Sequence, residues 1–299
     1  MCGIVGLFSK SERVQDRLGA YLTAMLVEMS DRGPDSAGVA LYRDPVAADW
    51  TKLSLCNGAA DYPWQALAAE MTKDLGREVM SEVRGSHGLF KVGTDFETVH
   101  AWLQGRHPEV HVVSAGTTIE IYKEKGLPQA VAESFRLGEV SGSHGLGHTR
   151  MATESAVTTE HSHPFSTGLD LCLVHNGSLS NHNRLRHDLR RRGIEFQTDN
   201  DTEVAAGYLT WRLREGASLE QALEAAVADL DGFYTFAVGT RDGFAVLRDP
   251  IACKHAVLAE TDDWVAMATE YRAIARLPGA EHARIWEPAP GCVYAWNRS

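Results

Sequence analysis

The chain opens MCGIVGLF (residues 1–8), and the reading of this octapeptide decides the fold. A cysteine directly follows the initiator methionine, and a compact apolar run bounded by polar residues follows the cysteine, as in a buried strand. If Met1 is removed, which a small second residue permits, Cys2 carries a thiol nucleophile and a free α-amine on one residue. An unprotonated amine can take the thiol proton, directly or through a water, and later return it to a leaving amine. Such a residue is its own nucleophile and base. A cysteine at position 2 also reads as a small buried residue of a first strand, so other residues must decide.

The bulk composition narrows the classes. The chain has 299 residues, 44% of them hydrophobic, enough for one large domain or two modest ones, and a formal net charge of −11. An acidic chain without a basic footprint argues against nucleic acid as a partner. Its five cysteines (Cys2, Cys56, Cys172, Cys253 and Cys292) are scattered, odd in number and without a C-x-x-C pair. That usage predicts a reducing, cytoplasmic setting. Lys10 and Glu12 interrupt the N-terminal apolar stretch too early for a signal peptide. No run approaches the ~18 apolar residues of a membrane span, and the glycine that myristoylation needs directly after Met1 is missing.

Working outward, residues 16–29 predict a helix with Leu18, Leu22, Met25, Leu26 and Met29 on one face. DRGPDSAG (31–38) is a loop leading into the strand VALY. The stretch 44–141 is less patterned, with helices expected around 64–79 and 95–102 and a hairpin over 110–123. Further on, a basic helix at 182–192 is ended by Gly193, and helices follow at 202–214 and 218–230. Ser218 and Gln221 stand at capping-box spacing in the last of these. FYTFAVG and FAVLRD flank an Asp-Gly turn, and the strands WVAMAT, ARIWE and CVYAW close the chain around a helix at 269–277. Helices bracketing many non-alternating strands predict an α+β fold.

Several residues suit acyl transfer. VHNGS (174–178) offers the Asn176 amide and the Gly177 N–H to a developing oxyanion. Arg150 in GHTRMAT offers a planar fork for an α-carboxylate, and Asp201 in TDNDTE an anion for an α-ammonium. Each has a plainer alternative: a His-Asn-Gly turn, a surface ion pair for Arg150, a helix cap for Asp199 or Asp201.

Taken together and in order, these pieces resemble the class II glutamine amidotransferases, an N-terminal-nucleophile (Ntn) hydrolase family. The resemblance rests on MCGIVG (1–6), RGPDSAG (32–38), GHTRMAT (147–153), HPF (163–165), VHNG (174–177) and DNDTE (199–203), with FAVLRDP (244–250) and MATEYRAI (267–274) as closing strands. It implies a four-layer αββα sandwich and hydrolysis of L-glutamine to glutamate and ammonia through a γ-glutamyl thioester. It also implies roles: Cys2 as nucleophile, Asn176 and Gly177 as oxyanion hole, Arg150 and Thr153 on the glutamine carboxylate, Asp201 on its amino group. Arg32 would sit beside the catalytic centre and order it.

The chain departs from glucosamine-6-phosphate synthase in having Met151 and Glu154 where that enzyme has Trp and His. It also carries an extra segment at about 52–141 within a single domain spanning 1–299. HPF followed by HNG, and the inserted segment, are similar to glutamate synthase and its stand-alone relatives, including the small subunit of N-methylglutamate synthase. No P-loop, Rossmann fingerprint or iron–sulfur spacing occurs. This chain is therefore expected to hold no cofactor. By resemblance, a separate synthase chain of a hetero-oligomer would accept the ammonia and carry any FMN and iron–sulfur cluster.

Two rival readings remain. His144, His148, His161, His163 and His175 lie close in sequence and could mark a metal-binding hydrolase, though not in HExxH spacing. A catalytically silent, structural or ammonia-conducting subunit would keep the same residues without turnover. RLRHDLRRR (184–192) reads as a solvated helix face with Leu185 and Leu189 packed inward.

Overall fold

The computed structural model of the protein describes residues 2–59, 61–151 and 157–298. It begins with β1 (Gly3–Ser9), α1 (Glu12–Gln15), α2 (Leu18–Val27) and β2 (Ser36–Tyr42). The middle forms β3 (Thr51–Cys56), α3 (Trp64–Leu75), β4 (Val79–Arg84), β5 (His87–Val92), α4 (Phe96–Arg106) and β6 (His111–Gly116). Next come β7 (Ile119–Lys125), α5 (Pro128–Ser134), β8 (His144–Arg150), β9 (Cys172–Leu179), α6 (His182–Arg190), α7 (Asp201–Arg214) and α8 (Leu219–Asp229). The chain ends with β10 (Gly232–Thr240), β11 (Gly243–Arg248), β12 (Val257–Glu260), β13 (Trp264–Ala268), α9 (Tyr271–Ile274), β14 (Arg284–Trp286) and β15 (Val293–Asn297).

β1 is apolar from Gly3 to Phe8 because both of its faces are covered. Ile4 and Phe8 point into a core shared with Val174, Ala237, Phe244 and Val246. Val5 and Leu7 point the other way, onto Leu22, Met25 and Leu26 of α2. β1 lies within a sheet of order β14-β12-β13-β1-β8-β2-β7, and the facing sheet runs β15-β11-β10-β9. The outer face of the second sheet, through Leu173, Phe236 and Val238, packs on Val204, Leu209 and Leu223 of α7 and α8. The layers are helix, sheet, sheet, helix, the αββα sandwich that the resemblance implies.

A third sheet, β4-β5-β3-β6, carries α3 and α4 on a core of its own around Leu53, Leu55, Trp64, Phe90 and Val92. It occupies the earlier part of the 52–141 stretch. β7 and α5, in the same stretch, belong to the main sandwich: Tyr122 pairs with Val39 of β2, and Val131 and Ala132 join the α2 core.

The hairpin expected over 110–123 does not form. β6 pairs with β3 and β7 with β2, in different sheets. The cause is Asp170, whose carboxylate accepts from the backbone N–H groups of Thr117, Thr118 and Ile119 at 2.8–3.0 Å and from both threonine hydroxyls at 2.8 and 3.0 Å. Turn donors committed to a carboxylate cannot close a hairpin.

The helix expected to reach 79 stops at Leu75, where Gly76 takes a left-handed C-cap (φ 61) and releases the chain into β4. The one expected at 269–277 shrinks to α9, with Glu270 extended at its N-cap (φ −133, ψ 140). The Ser218–Gln221 capping box is formed. α7 is capped by Asn200, whose side chain accepts from the Thr202 N–H at 2.8 Å, rather than by Asp199 or Asp201. Among the described residues no helix is long and apolar enough to cross a membrane.

Candidate active site

Cys2 stands immediately before β1 and is partly buried. Its carbonyl oxygen is the meeting point of two sequence-predicted residues. The Asn176 Nδ2 amide, from β9 of the second sheet, donates to it at 3.1 Å, and the Arg32 Nε–H, from the loop before β2, donates at 3.1 Å. Asn176 Nδ2 also reaches the Thr269 hydroxyl at 3.2 Å. The two sheets of the sandwich thus close on one another at Cys2.

Gly177 follows at φ +139, paired with Tyr234 of β10. A Cβ there would stand 1.9 Å from the Phe233 carbonyl oxygen. Only glycine can carry the backbone through this point while keeping its N–H beside Asn176.

Arg150 ends β8. Gly3 pairs with Thr149, so Arg150 reaches the same sheet edge as Cys2. It is buried at 6% exposure, which sets aside the surface ion pair considered from the sequence. The loop after Arg32 is pressed against it: the Asp35 N–H donates to the Arg150 carbonyl at 3.1 Å, and a Cβ on Gly33 would come within 2.4 Å of the Arg150 nitrogen.

Asp201 opens α7. Its Oδ2 accepts from the Leu179 N–H at 2.9 Å, tying the helix start to the strand that carries Asn176 and Gly177, and its Oδ1 lies 3.8 Å from His175 Nδ1. Thr153, expected on the glutamine carboxylate, and Glu154 lie outside the described residues. Met151 is exposed.

Three of the histidines, His148, His163 and His175, pack into one cluster. His148 and His163 stack with ring centroids 3.9 Å apart, and His148 Nε2 lies 3.2 Å from the His175 carbonyl oxygen, which requires the proton on Nε2. The Thr202 hydroxyl bridges His175 Nδ1 (3.0 Å) and His163 Nε2 (3.3 Å). Burial lowers His144 to about 4 and His148 to about 3, and takes His163 well below its usual range. Burial also lowers His175, against the opposing pull of Asp201. His161 lies apart, 3.2 Å from Asp199. Among the described residues no group of three or more His, Cys, Asp or Glu side chains is arranged to hold a metal.

Other residues join this region that the sequence reading gave no role in the site, although Thr269 and Glu270 fall within the MATEYRAI motif. Thr269 accepts from the Ile4 N–H at 2.8 Å through its hydroxyl, and Glu270 pairs with Arg32 and, at 2.8 Å, with Arg272. Lys123 is buried and donates from Nζ to the carbonyls of Ser162 (2.8 Å) and Glu160 (3.2 Å), holding the loop that carries His163; burial lowers it to about 8. Arg186, expected on a solvated face, turns inward at 8% exposure and donates to the Thr198 and Asn200 carbonyls at 2.9 and 3.0 Å, bracing the entry to α7.

A family model described as a glutamine amidotransferase domain matches residues 148–276. The chain is 51% identical over 298 residues to the glutamine amidotransferase-like protein GlxB of Rhizobium meliloti (strain 1021), covering 99% of this chain and 98% of that protein. It is 38% identical over 125 residues to the isomerizing glutamine–fructose-6-phosphate aminotransferase of Vibrio vulnificus (strain YJ016), covering 42% of this chain and 20% of that enzyme. Among solved structures, the glutamine phosphoribosylpyrophosphate amidotransferase of B. subtilis superposes with a TM-score of 0.60 at 20% identity, a likeness of fold. That match covers 99% of this chain, which spans about half (47%) of the solved one. With a relative this similar along nearly its whole length, the chain belongs to the class II glutamine amidotransferases.

Proposed function

We propose that this chain is a glutaminase subunit that hydrolyses L-glutamine and passes the ammonia to a separate synthase chain of a glutamate synthase-like or N-methylglutamate synthase-like complex in the cytoplasm. The observation that carries the chemistry is the convergence of Asn176 Nδ2 and Arg32 Nε on the Cys2 carbonyl. It puts the oxyanion-hole candidate, a cation and the thiol-bearing residue in one place.

With Met1 removed, the α-amine takes the thiol proton and Sγ attacks the glutamine amide carbon. Asn176 Nδ2 and the Gly177 N–H receive the developing oxyanion. Collapse breaks the C–N bond, and the leaving nitrogen takes the proton and departs as ammonia. Water then attacks the γ-glutamyl thioester, its proton passing through the amine to Sγ, and glutamate leaves. Arg150 pairs with the substrate carboxylate and Asp201 with its ammonium, through the oxygen that faces His175. Flavin or iron–sulfur chemistry would belong to the synthase chain. The match along nearly the whole length of a relative supports a stand-alone subunit.

The test is an intact mass of the purified chain with and without a glutamine-analogue diazoketone, alongside ammonia release from glutamine. Loss of Met1, one adduct on Cys2 and ammonia release are expected. Met1 retained with neither adduct nor ammonia would leave a structural or ammonia-conducting subunit as the better reading. Coupled activity on mixing with a candidate synthase chain tests the second half.

A further inference from the structure

β13 pairs with β1 in antiparallel register, Val5 opposite Ala268, so the two residues that leave β13 pass beside the start of β1. The first, Thr269, is 2% exposed. Its hydroxyl accepts from the Ile4 N–H at 2.8 Å and from Asn176 Nδ2 at 3.2 Å, and its N–H donates to the Ile4 carbonyl at 2.9 Å. One side chain therefore ties the strand that follows Cys2 to the amide that must meet the oxyanion. The second, Glu270, divides its carboxylate between Arg32 and Arg272, and Arg272 also reaches Asp31 at 3.3 Å. Arg32 is thereby held from behind while its Nε bonds the Cys2 carbonyl. The hydrogen bond from Arg32 holds the Glu270 carboxyl below its usual range, so it is ionised across the neutral range.

We propose that Thr269 and Glu270 are positioning residues of the glutaminase site, Thr269 acting through Asn176 and Glu270 through Arg32. This rests on the proposed chemistry at Cys2. Neither residue is assigned contact with glutamine, whose carboxylate and ammonium fall to Arg150 and Asp201. Their loss therefore disturbs the attack step while leaving substrate affinity largely intact, because small displacements at the reacting atoms cost far more in rate than in binding.

The experiment measures kcat and KM for glutamine hydrolysis, with thermal midpoints, for the wild type, Thr269→Val, Thr269→Ser, Glu270→Gln, Arg32→Ala and the Arg32→Ala/Glu270→Gln double variant. Thr269→Val and Glu270→Gln are expected to lower kcat by about 10- to 100-fold with KM held within about twofold. Thr269→Ser, which keeps the hydroxyl, should stay within about threefold of wild type. In the Arg32→Ala background Glu270→Gln should add less than about twofold, since a residue acting through another has nothing left to act on.

Wild-type kcat in both Thr269→Val and Glu270→Gln, a Thr269→Ser loss as deep as that of valine, or a Glu270→Gln effect that multiplies in full onto Arg32→Ala would overturn the proposal. Glu270→Gln is isosteric at a partly exposed site and carries the test alone should Thr269→Val not fold. A wild-type chain that releases no ammonia and takes no adduct sinks the underlying glutaminase reading, and this proposal with it. An active wild type with unaffected variants sinks this proposal only.

Discussion

The turn at Asp170 and the strand ends around Cys2 both bury polar atoms, and they treat them in opposite ways. At the turn, the Asp170 carboxylate takes three backbone N–H groups and two hydroxyls, with little hydrogen-bonding capacity left over. At the strand ends, Asn176 Oδ1 is buried without a hydrogen-bond partner among the described residues. An unmade hydrogen bond costs about 1–3 kcal/mol in a buried site. A carboxylate saturated by the backbone is a structural clip. An unmet acceptor beside Cys2 is a cost the rest of the fold must cover, as expected where a ligand is to be bound.

Four measurements break or sharpen this contrast. Cys2→Ala should abolish glutamine hydrolysis, by about 10³-fold or more, with no fall in thermal midpoint, since the residue contributes chemistry and little packing. Persisting turnover would move the nucleophile elsewhere. Gly177→Ala forces a side chain into a 1.9 Å approach at φ +139 and should cost about 3 kcal/mol or more of stability along with activity. A denaturant midpoint equal to wild type would mean that β9 and β10 can part without penalty.

Asp170→Asn keeps one carbonyl oxygen but replaces the other with a donor facing donors. About 2 kcal/mol of stability should be lost, while the folded fraction keeps its kcat. A kcat loss at unchanged stability would instead tie the clip to the chemistry.

The smallest effect is in pH. His144 and His148 have folded values depressed to about 4 and about 3, below the ordinary histidine value near 6.5. Their neutral burial therefore stabilises the fold above pH 6.5, and that stability is lost as pH falls toward the folded values, because the unfolded chain binds protons first. Each should forfeit about 1 kcal/mol between pH 7 and 5.5 in urea unfolding. His144→Gln should flatten the profile by that amount, and an unchanged slope would show that His144 does not titrate on unfolding.

How much of this was legible can be judged residue by residue. β1 was readable because an unbroken apolar run in a chain of this class is a strand covered on both faces, and the α8 capping box because both partners lie three residues apart. Cys2, Arg32, Asn176, Gly177, Arg150 and Asp201 were named from short ordered motifs, and the structure gathers the first four around β1 and β9. The hairpin over 110–123 misled, since its strands are split by an aspartate some fifty residues on. Arg186 sits in a run of arginines that reads as solvent-facing, yet its guanidinium turns inward to two carbonyls. Helical periodicity reports where a side chain points and says nothing of a loop waiting underneath it.

The amino-acid sequence alone pointed to an α+β chain, and its ordered motifs, through the resemblance they carry, to the αββα sandwich and to candidates for nucleophile and oxyanion hole, because residue chemistry travels with contiguous motifs. Tertiary structure alone decided that the added sheet is joined through Asp170, that His148, His163 and His175 are buried against one another, and that Thr269 and Glu270 stand behind Asn176 and Arg32. Thr269 lies 93 positions from Asn176 and Glu270 lies 238 from Arg32. Contacts across such separations leave no local period to read. They exist only once strand register has brought β13 alongside β1 and burial has made every remaining polar atom seek a partner.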